Sequence, residues 1–150
     1  MSILRDRPYG QFNFLVDLGD GADDGPLAGF QEVGMIGMEV AVTEYRTGNA
    51  KANDAFKLTG LAKYHDVSFK RGLIGALNLY QWLDQIRNGD SKGLRTVTVR
   101  LLSEDHANIV QTWKLLRARI VKHSSGPFHA QSSDVVIEEM VLAYERLELE

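Results

Sequence analysis

Phe56-Lys-Leu-Thr-Gly60-Leu-Ala-Lys-Tyr-His65-Asp-Val-Ser-Phe-Lys70-Arg-Gly72-Leu-Ile-Gly-Ala-Leu-Asn78-Leu-Tyr-Gln-Trp82-Leu-Asp-Gln-Ile-Arg-Asn-Gly89 contains two hydrophobic periods that meet at Gly72. From His65 to Lys70 apolar and polar residues alternate. Val67 and Phe69 share one face and Asp66, Ser68 and Lys70 the other, which is the period of a half-buried strand. Beyond Gly72 the period changes: Leu79, Leu83 and Ile86 recur at helical spacing, and Tyr80 and Trp82 widen the stripe. Asn78 with Gln81 suits an N-cap and its reciprocal partner, and Asn88-Gly89 suits a stop. A helix of about ten residues is marginal alone, so it must lie on something. Most other segments read as strands, so the core unit is a strand, a basic glycine turn and one short helix docked on a sheet.

Upstream, Tyr9 to Leu18 alternates, with Phe12, Phe14, Val16 and Leu18 inward, and reads as a strand. The cluster Gly19-Asp-Gly-Ala-Asp-Asp-Gly25-Pro26 is dense in turn formers. Its acidic spacing misses a calcium loop, and its carboxylates would repel phosphate, so it reads as a solvated turn. Gly29 to Gly34 suggests a short strand or bulge, followed by a turn at Met35-Ile-Gly37. Met38 to Arg46 alternates again, with Met38, Val40 and Val42 on one side and Glu39, Thr43 and Tyr45 on the other. Thr47-Gly-Asn-Ala-Lys-Ala-Asn-Asp54 is small and polar, the loop of a hairpin whose second strand begins near Phe56. Such exposed loops often carry function.

Downstream, Thr96-Val-Thr-Val-Arg-Leu101 is a clear strand. Across the turn Ser103–His106 it is expected to pair with Ile109–Leu115, and Ala118–Lys122 reads as a further short strand. Ser133 to Tyr144 fits both a helical stripe (Ile137, Met140, Val141, Tyr144) and a strand (Val136, Met140, Leu142, Tyr144). Propensity leans slightly to helix, and periodicity alone leaves the choice open.

The totals bound the function. At 150 residues the chain suits one domain with its own core, spanning 1–150. With 44% hydrophobic and 25% charged residues and 3 Pro, neither disorder nor a fibrous repeat is indicated. The absence of cysteine excludes disulfides and thiolate chemistry and suits a reducing compartment. No signal peptide or membrane span is readable, so synthesis in the cytosol and no membrane insertion are expected. A net charge of -3 argues against a general nucleic-acid binder.

No catalytic constellation emerges. His65, His106, His123 and His129 are scattered, and His123, His129 and Asp134 fit no standard ligand spacing, so no metal or cofactor is expected. Nucleophile elbow, zinc-helix and phosphate-loop motifs do not occur. Glu104/Asp105 and Glu138/Glu139 are adjacent, and neighbours in a strand point to opposite faces, so neither pair converges on a substrate. The basic spots Lys70-Arg71-Gly72 and Arg117-Ala-Arg119 suit ion pairs across a subunit contact, where Arg is enriched. The residues therefore describe a mostly-β domain without an enzyme's machinery.

An ordered series of segments adds a likeness. Pro8-Tyr-Gly-Gln-Phe-Asn-Phe14, Gly29-Phe-Gln-Glu-Val33, Glu44-Tyr-Arg46, Lys57-Leu-Thr-Gly60, Phe69-Lys-Arg-Gly72, Leu79-Tyr-Gln-Trp82, Trp113 and Val136-Ile-Glu138 occur in sequence from about Pro8 to Tyr144. In this the chain resembles the tail tube protein family of contractile phage tails and related contractile injection systems. The resemblance implies a mainly β (α+β) fold, an antiparallel β-sandwich or barrel with one short packed helix, and on that basis Val135 to Tyr144 is read as a strand against its propensity. It implies a homo-hexamer whose rings stack into a tube inside a sheath protein, with baseplate and tube-terminating proteins as further partners and DNA or an effector as cargo in the lumen. A protein made in the bacterial cytoplasm and assembled into a phage tail or phage-tail-like particle follows.

The rival readings are a type VI secretion-type tube and a monomeric small-ligand-binding β-barrel. Stacking needs one face of a subunit to meet a different face of the next. The Thr47–Asp54 loop and the Met1–Arg7 arm are the expected contacts, because neither is expected to fold on its own subunit. Arg5, Arg7, Glu44, Tyr45, Arg46, Gly48, Asn49, Lys51, Asn53, Asp54, Lys70 and Arg71 are the candidate assembly residues. With 20 acidic against 17 basic side chains, a weakly acidic channel wall is also expected, over which an acidic cargo would slide without sticking.

Overall fold

The computed structural model describes residues 2–21 and 25–150. Met1 of the arm and the middle of the Gly19–Pro26 turn, where a calcium loop was weighed, lie outside them. In chain order the strands are β1 (Phe14–Asp17), β2 (Glu32–Val33), β3 (Met38–Tyr45), β4 (Phe56–Tyr64), β5 (Val67–Gly72), β6 (Arg95–Leu102), β7 (Ile109–Gly126), β8 (Ile137–Ala143) and β9 (Arg146–Leu149), with the helix α1 (Asn78–Arg87) between β5 and β6. No described helix is long and apolar enough to cross a membrane.

Seven strands make one antiparallel sheet in the order β1-β6-β7-β8-β5-β2, with β9 on β7, while β3 and β4 form a separate two-stranded sheet. The large sheet folds over on itself along β7. The first half of that strand pairs with β6 and β9, and the second half with β8. Val16, Val67, Phe69, Val97, Leu115, Ile120, Met140 and Leu142 from the two halves fill the space between. The fold is therefore the expected antiparallel sandwich with one helix, but the sheet stays open and does not close into a barrel.

Two strand boundaries differ from the periodic reading. Ile109–Leu115 and Ala118–Lys122 are one continuous strand, kinked at Arg117, whose φ of 53° lies in the left-handed region. Leu115 and Ala118 both face inward although three residues apart, so the inserted residue shifts the phase, and a phase shift in sequence resembles a strand end. Glu145 holds the corner, accepting from Arg117 Nε and, at 3.2 Å, from an Arg119 Nη. That basic spot is thus paired within its own subunit. At the other end, β1 starts at Phe14 rather than Tyr9. The Gly10 N–H and the Asn13 side chain bind Glu104 instead, and Phe12 is 66% exposed. β9 had no counterpart in the periodic reading.

Within Val135–Tyr144 the chain forms strand β8 over Ile137–Ala143, as the family resemblance implied, with Met140 and Leu142 buried in it and Tyr144 buried just beyond its end. Pairing on both sides, to β5 and β7, satisfies its backbone and overrides its helical propensity. The helix is where its stripe placed it, with Leu79 and Trp82 buried, Trp82 Nε1 donating to Gly93 O at 2.6 Å, and Arg95 stacked over the indole. Gly93 permits this close approach, since a Cβ there would fall 2.5 Å from Ile86 Cδ1. The expected capping box does not form. Leu77 occupies the N-cap without a side-chain bond, and Asn78 Oδ1 instead accepts from Arg71 at 2.7 Å.

Candidate assembly surface

The β3–β4 hairpin stands apart. Its two strands pair continuously from Met38↔Tyr64 to Tyr45↔Phe56, with one irregularity beside Val40–Val42, and neither packs extensively on another element. At about 3.3 Å per residue, eight residues reach roughly 26 Å. The register sorts its side chains: Met38, Val40 and Val42 lie on one face with Ala62 and Thr59, and Thr43 and Tyr45 on the other with Leu58 and Phe56. Both faces carry exposed apolar residues, Val42 at 56%, Phe56 at 68% and Leu61 at 85%. An isolated two-stranded ribbon is marginal in water, and an apolar surface of this kind marks an interaction site.

Seven of the candidate assembly residues are gathered on this hairpin. Glu44 faces Lys57 across the ladder, Tyr45 faces Phe56, and Gly48, Asn49, Lys51, Asn53 and Asp54 form or flank the tip. Arg46 is the eighth, but its guanidinium turns onto its own loop, donating to Ala50 O and Ala52 O at 3.1 Å. It shapes the tip rather than offering its charge outward. Sequence reasoning chose the polar loop and passed over Val42, Phe56 and Leu58, because alternation was read as one face covered by the subunit itself. The available signal was that both faces of the pair carry large apolar residues.

The other candidates go elsewhere. Lys70, on the outer face of β5, lies 3.7 Å from Glu32. Arg71, expected at a subunit contact, turns inward instead. It is 1% exposed and points into the sandwich, where Nε donates to Glu138 Oε2 at 2.9 Å, Nη1 to Leu27 O at 2.8 Å and Nη2 to Asn78. The other Glu138 oxygen lies 2.7 Å from His123 Nε2. This buried network ties β5, β7, β8, α1 and the segment before β2 together, and it places His123 away from any ligand set. Among the described residues no group of His, Asp and Glu suits a metal.

The N-terminal arm folds on its own subunit, contrary to expectation. Ile3 N–H donates to Val110 O at 2.9 Å. Arg5 lies over the Tyr9 ring and pairs with both Glu104 oxygens, and Arg7 supplies a backbone acceptor to Arg5 Nε. The Arg5 guanidinium, then the backbone N–H groups of Glu104 and Gly10, draw the Glu104 carboxyl down to about 2 from 4.5. A carboxyl lowered on docking contributes fully above about 4.5 and loses that contribution as pH falls toward 2. Arm docking is therefore expected to hold through neutral pH and loosen on strong acidification. Glu104→Gln should raise hydrogen exchange at the Ile3 amide several-fold at pH 7, the modest effect of an exposed pair. Unchanged exchange in that variant would mean that the arm is held without the Glu104 charge, by contacts such as Ile3 N–H to Val110 O and Tyr9 OH to Ile3 O.

Comparison with known proteins bears on this arrangement. A family profile described as T4-like virus tail tube protein gp19 matches residues 10–148. No curated protein matches the chain. Among solved structures, a chain of the PVC extracellular contractile injection system in its extended sheath-tube complex is 23% identical, with a TM-score of 0.81 over 95% of this chain and 91% of that one. A chain of the anti-feeding prophage tube-terminating cap is 20% identical, with a TM-score of 0.83 over 100% and 95%. A type six secretion system protein shares the fold more distantly, at 12% identity and a TM-score of 0.57 over 92% and 82%.

Proposed function

Because the chain belongs to the T4-like virus tail tube protein family and is thereby a structural subunit rather than an enzyme, we propose that six copies of it, each one tube domain spanning 1–150, close into a ring and that rings stack into a hollow tube. The observation that carries the reading is the β3–β4 hairpin, a long ribbon with apolar side chains on both faces that the described residues of its own subunit leave exposed. A projecting element that meets a different surface on the next copy is a heterologous contact, which closes laterally where the rotation permits and repeats axially without limit. The edges of an unclosed sheet give a second reason for association, since neighbours that cover them remove sites of uncontrolled pairing.

The proposed surroundings follow from the relatives, which come from a sheath-tube complex, a tube-terminating cap and a baseplate. A sheath lies outside the tube, and baseplate and terminating proteins at its ends. The subunit is made in the bacterial cytoplasm and joins a phage tail or phage-tail-like particle carrying DNA or a protein effector. The lower similarity to the type six protein and the family membership favour this reading over a type VI tube or a solitary ligand-binding barrel. Negative-stain microscopy of the purified protein over a concentration series is expected to show six-fold rings or tubes. Helical reconstruction of those tubes is expected to show a weakly acidic wall. Monomers at every concentration, even with baseplate proteins added, would reject the tube; a basic wall would reject the electrostatic part.

A further inference from the structure

Two short connections join the β3–β4 hairpin to the rest of the subunit, and one tyrosine grips both. On the incoming side Gly34 N–H donates to Ser68 O at 2.7 Å, and Met35, Ile36 and Gly37 then lead into β3. On the outgoing side His65 and Asp66 lead from β4 into β5. The two strands pair with each other and pack little on other elements, so the ribbon's direction is decided at these roots. A few residues at the end of an element are where hinge motion is absorbed.

Tyr144 lies one residue beyond β8 and is 7% exposed. Its hydroxyl donates to Gly37 O at 3.0 Å, and its ring lies against that of Tyr64, with centroids 5.7 Å apart. Both partners belong to the hairpin's roots. Tyr64 stands opposite Met38 in the ladder and packs against the core, while Gly37 O also accepts from His65 N–H at 3.0 Å. One carbonyl therefore takes a donor from within the root and a second from the body. Burial pushes the Tyr144 phenol above its ordinary range, so it keeps the proton it donates at neutral pH.

We propose that Tyr144 is a positioning residue, a pin that fixes the angle at which the β3–β4 hairpin leaves the body. The ribbon is a lever. With a reach of roughly 26 Å, a swing of about 10° at the root displaces the tip by about 4–5 Å, enough to take an apolar face out of line with whatever it meets. Holding one direction beforehand lowers the ordering cost at contact. The pin belongs to the single subunit, and only its consequence for assembly rests on the tube reading.

The hydroxyl can be removed without disturbing the packing. Tyr144→Phe keeps the ring beside Tyr64, and it leaves Gly37 O with His65 N–H as donor, so no buried polar group is orphaned. The chain has no cysteine, so a dye pair can be placed on Asn49→Cys at the tip and Ser125→Cys on β7, both exposed. Single-molecule energy transfer is then read at sub-nanomolar protein, where copies do not meet.

The parent is expected to give one narrow distribution. Tyr144→Phe is expected to broaden or shift it and to raise hydrogen exchange at the His65 amide about fivefold, the scale of one neutral hydrogen bond. Its melting temperature should stay within about 4 °C of the parent's. Tubes should then need a several-fold higher protein concentration.

An unchanged distribution in Tyr144→Phe would overturn the pin. So would a melting temperature lowered by more than about 10 °C, the mark of a residue that only stabilises the fold. Altered transfer with tubes at the parental concentration would uphold the pin and reject its part in assembly. Altered transfer where even the parent forms no tubes would uphold the pin and count against the tube reading instead.

Discussion

Excising Gly48–Asn53 is expected to abolish stacking while the subunit still folds. Tyr45 and Phe56 are the last paired residues of the hairpin, so the excision leaves Arg46, Thr47, Asp54 and Ala55 between them, a loop length that antiparallel strands close readily. What disappears is the tip that Arg46 organises through Ala50 O and Ala52 O, together with the Ala50–Thr47 turn bond. None of these groups touches the buried core, so the melting temperature should move by no more than about 2 °C. Tubes should be absent at concentrations where the parent forms them.

Phe56→Asp, with the loop intact, tests the ribbon itself. Its ring is 68% exposed in the single subunit, so the change is neutral to folding, but it sets an unpaired carboxylate on an apolar contact, at a cost of roughly several kcal/mol per buried site. That cost recurs at every copy. Tubes from the excision variant but not from Phe56→Asp would shift the contact from the tip to the apolar ladder. Normal tubes from both would place the assembly surface elsewhere.

Glu138→Leu should produce the largest loss of stability of any single change considered. It leaves Arg71, 1% exposed, with two neutral hydrogen-bond acceptors among the described residues, Leu27 O and Asn78 Oδ1, and the Phe30 ring, but no counter-charge. Breaking a buried pair in this way costs about 3–5 kcal/mol. At about 2–4 °C per kcal/mol for a chain of this size, the melting temperature falls by roughly 6–20 °C. Stability of small domains is only about 5–15 kcal/mol, so the variant sits near the edge of folding.

The double variant Arg71→Met/Glu138→Leu separates the pair's net worth from the cost of orphaning one member. An apolar pair of similar volume removes both desolvation costs, and recovery of most of the lost melting temperature is expected. His123 loses its carboxylate partner in either case, and at 17% side-chain exposure it still reaches water. Circular-dichroism melts of both variants decide the matter. A single variant melting within about 2 °C of the parent would mean that water or a shifted side chain compensates Arg71, and the network would lose its role as the tie between the helix and the two halves of the sheet.

Much of this protein follows from short-range pattern alone. The strand at Val67 and Phe69, the helix at Leu79, Trp82 and Ile86, the hairpin loop at Thr47–Asp54 and the pairing of Thr96–Leu101 with Ile109–Leu115 each follow from which side chains share a face within about ten residues. Such spacing is a property of the local backbone, so it is legible without knowing the rest of the fold. The family likeness was legible too, in the order of segments along the chain, and it chose the strand for Val135–Tyr144 where periodicity allowed two answers.

What only the tertiary structure decided is coverage and pairing at a distance. Alternation at Met38, Val40 and Val42 tells which residues lie together, but not whether the subunit itself covers them, and here its described residues leave all three exposed. Arg71 beside Gly72 looks like a surface cation until Glu138, 67 residues later, is brought against it. The arm looks free until Glu104 meets Arg5, and β7 looks like two strands until Arg117 is seen to bend one. In each case the deciding partner is remote in sequence, and it is set by how the sheet folds over along β7, a choice made by the total burial of many residues rather than by any single segment.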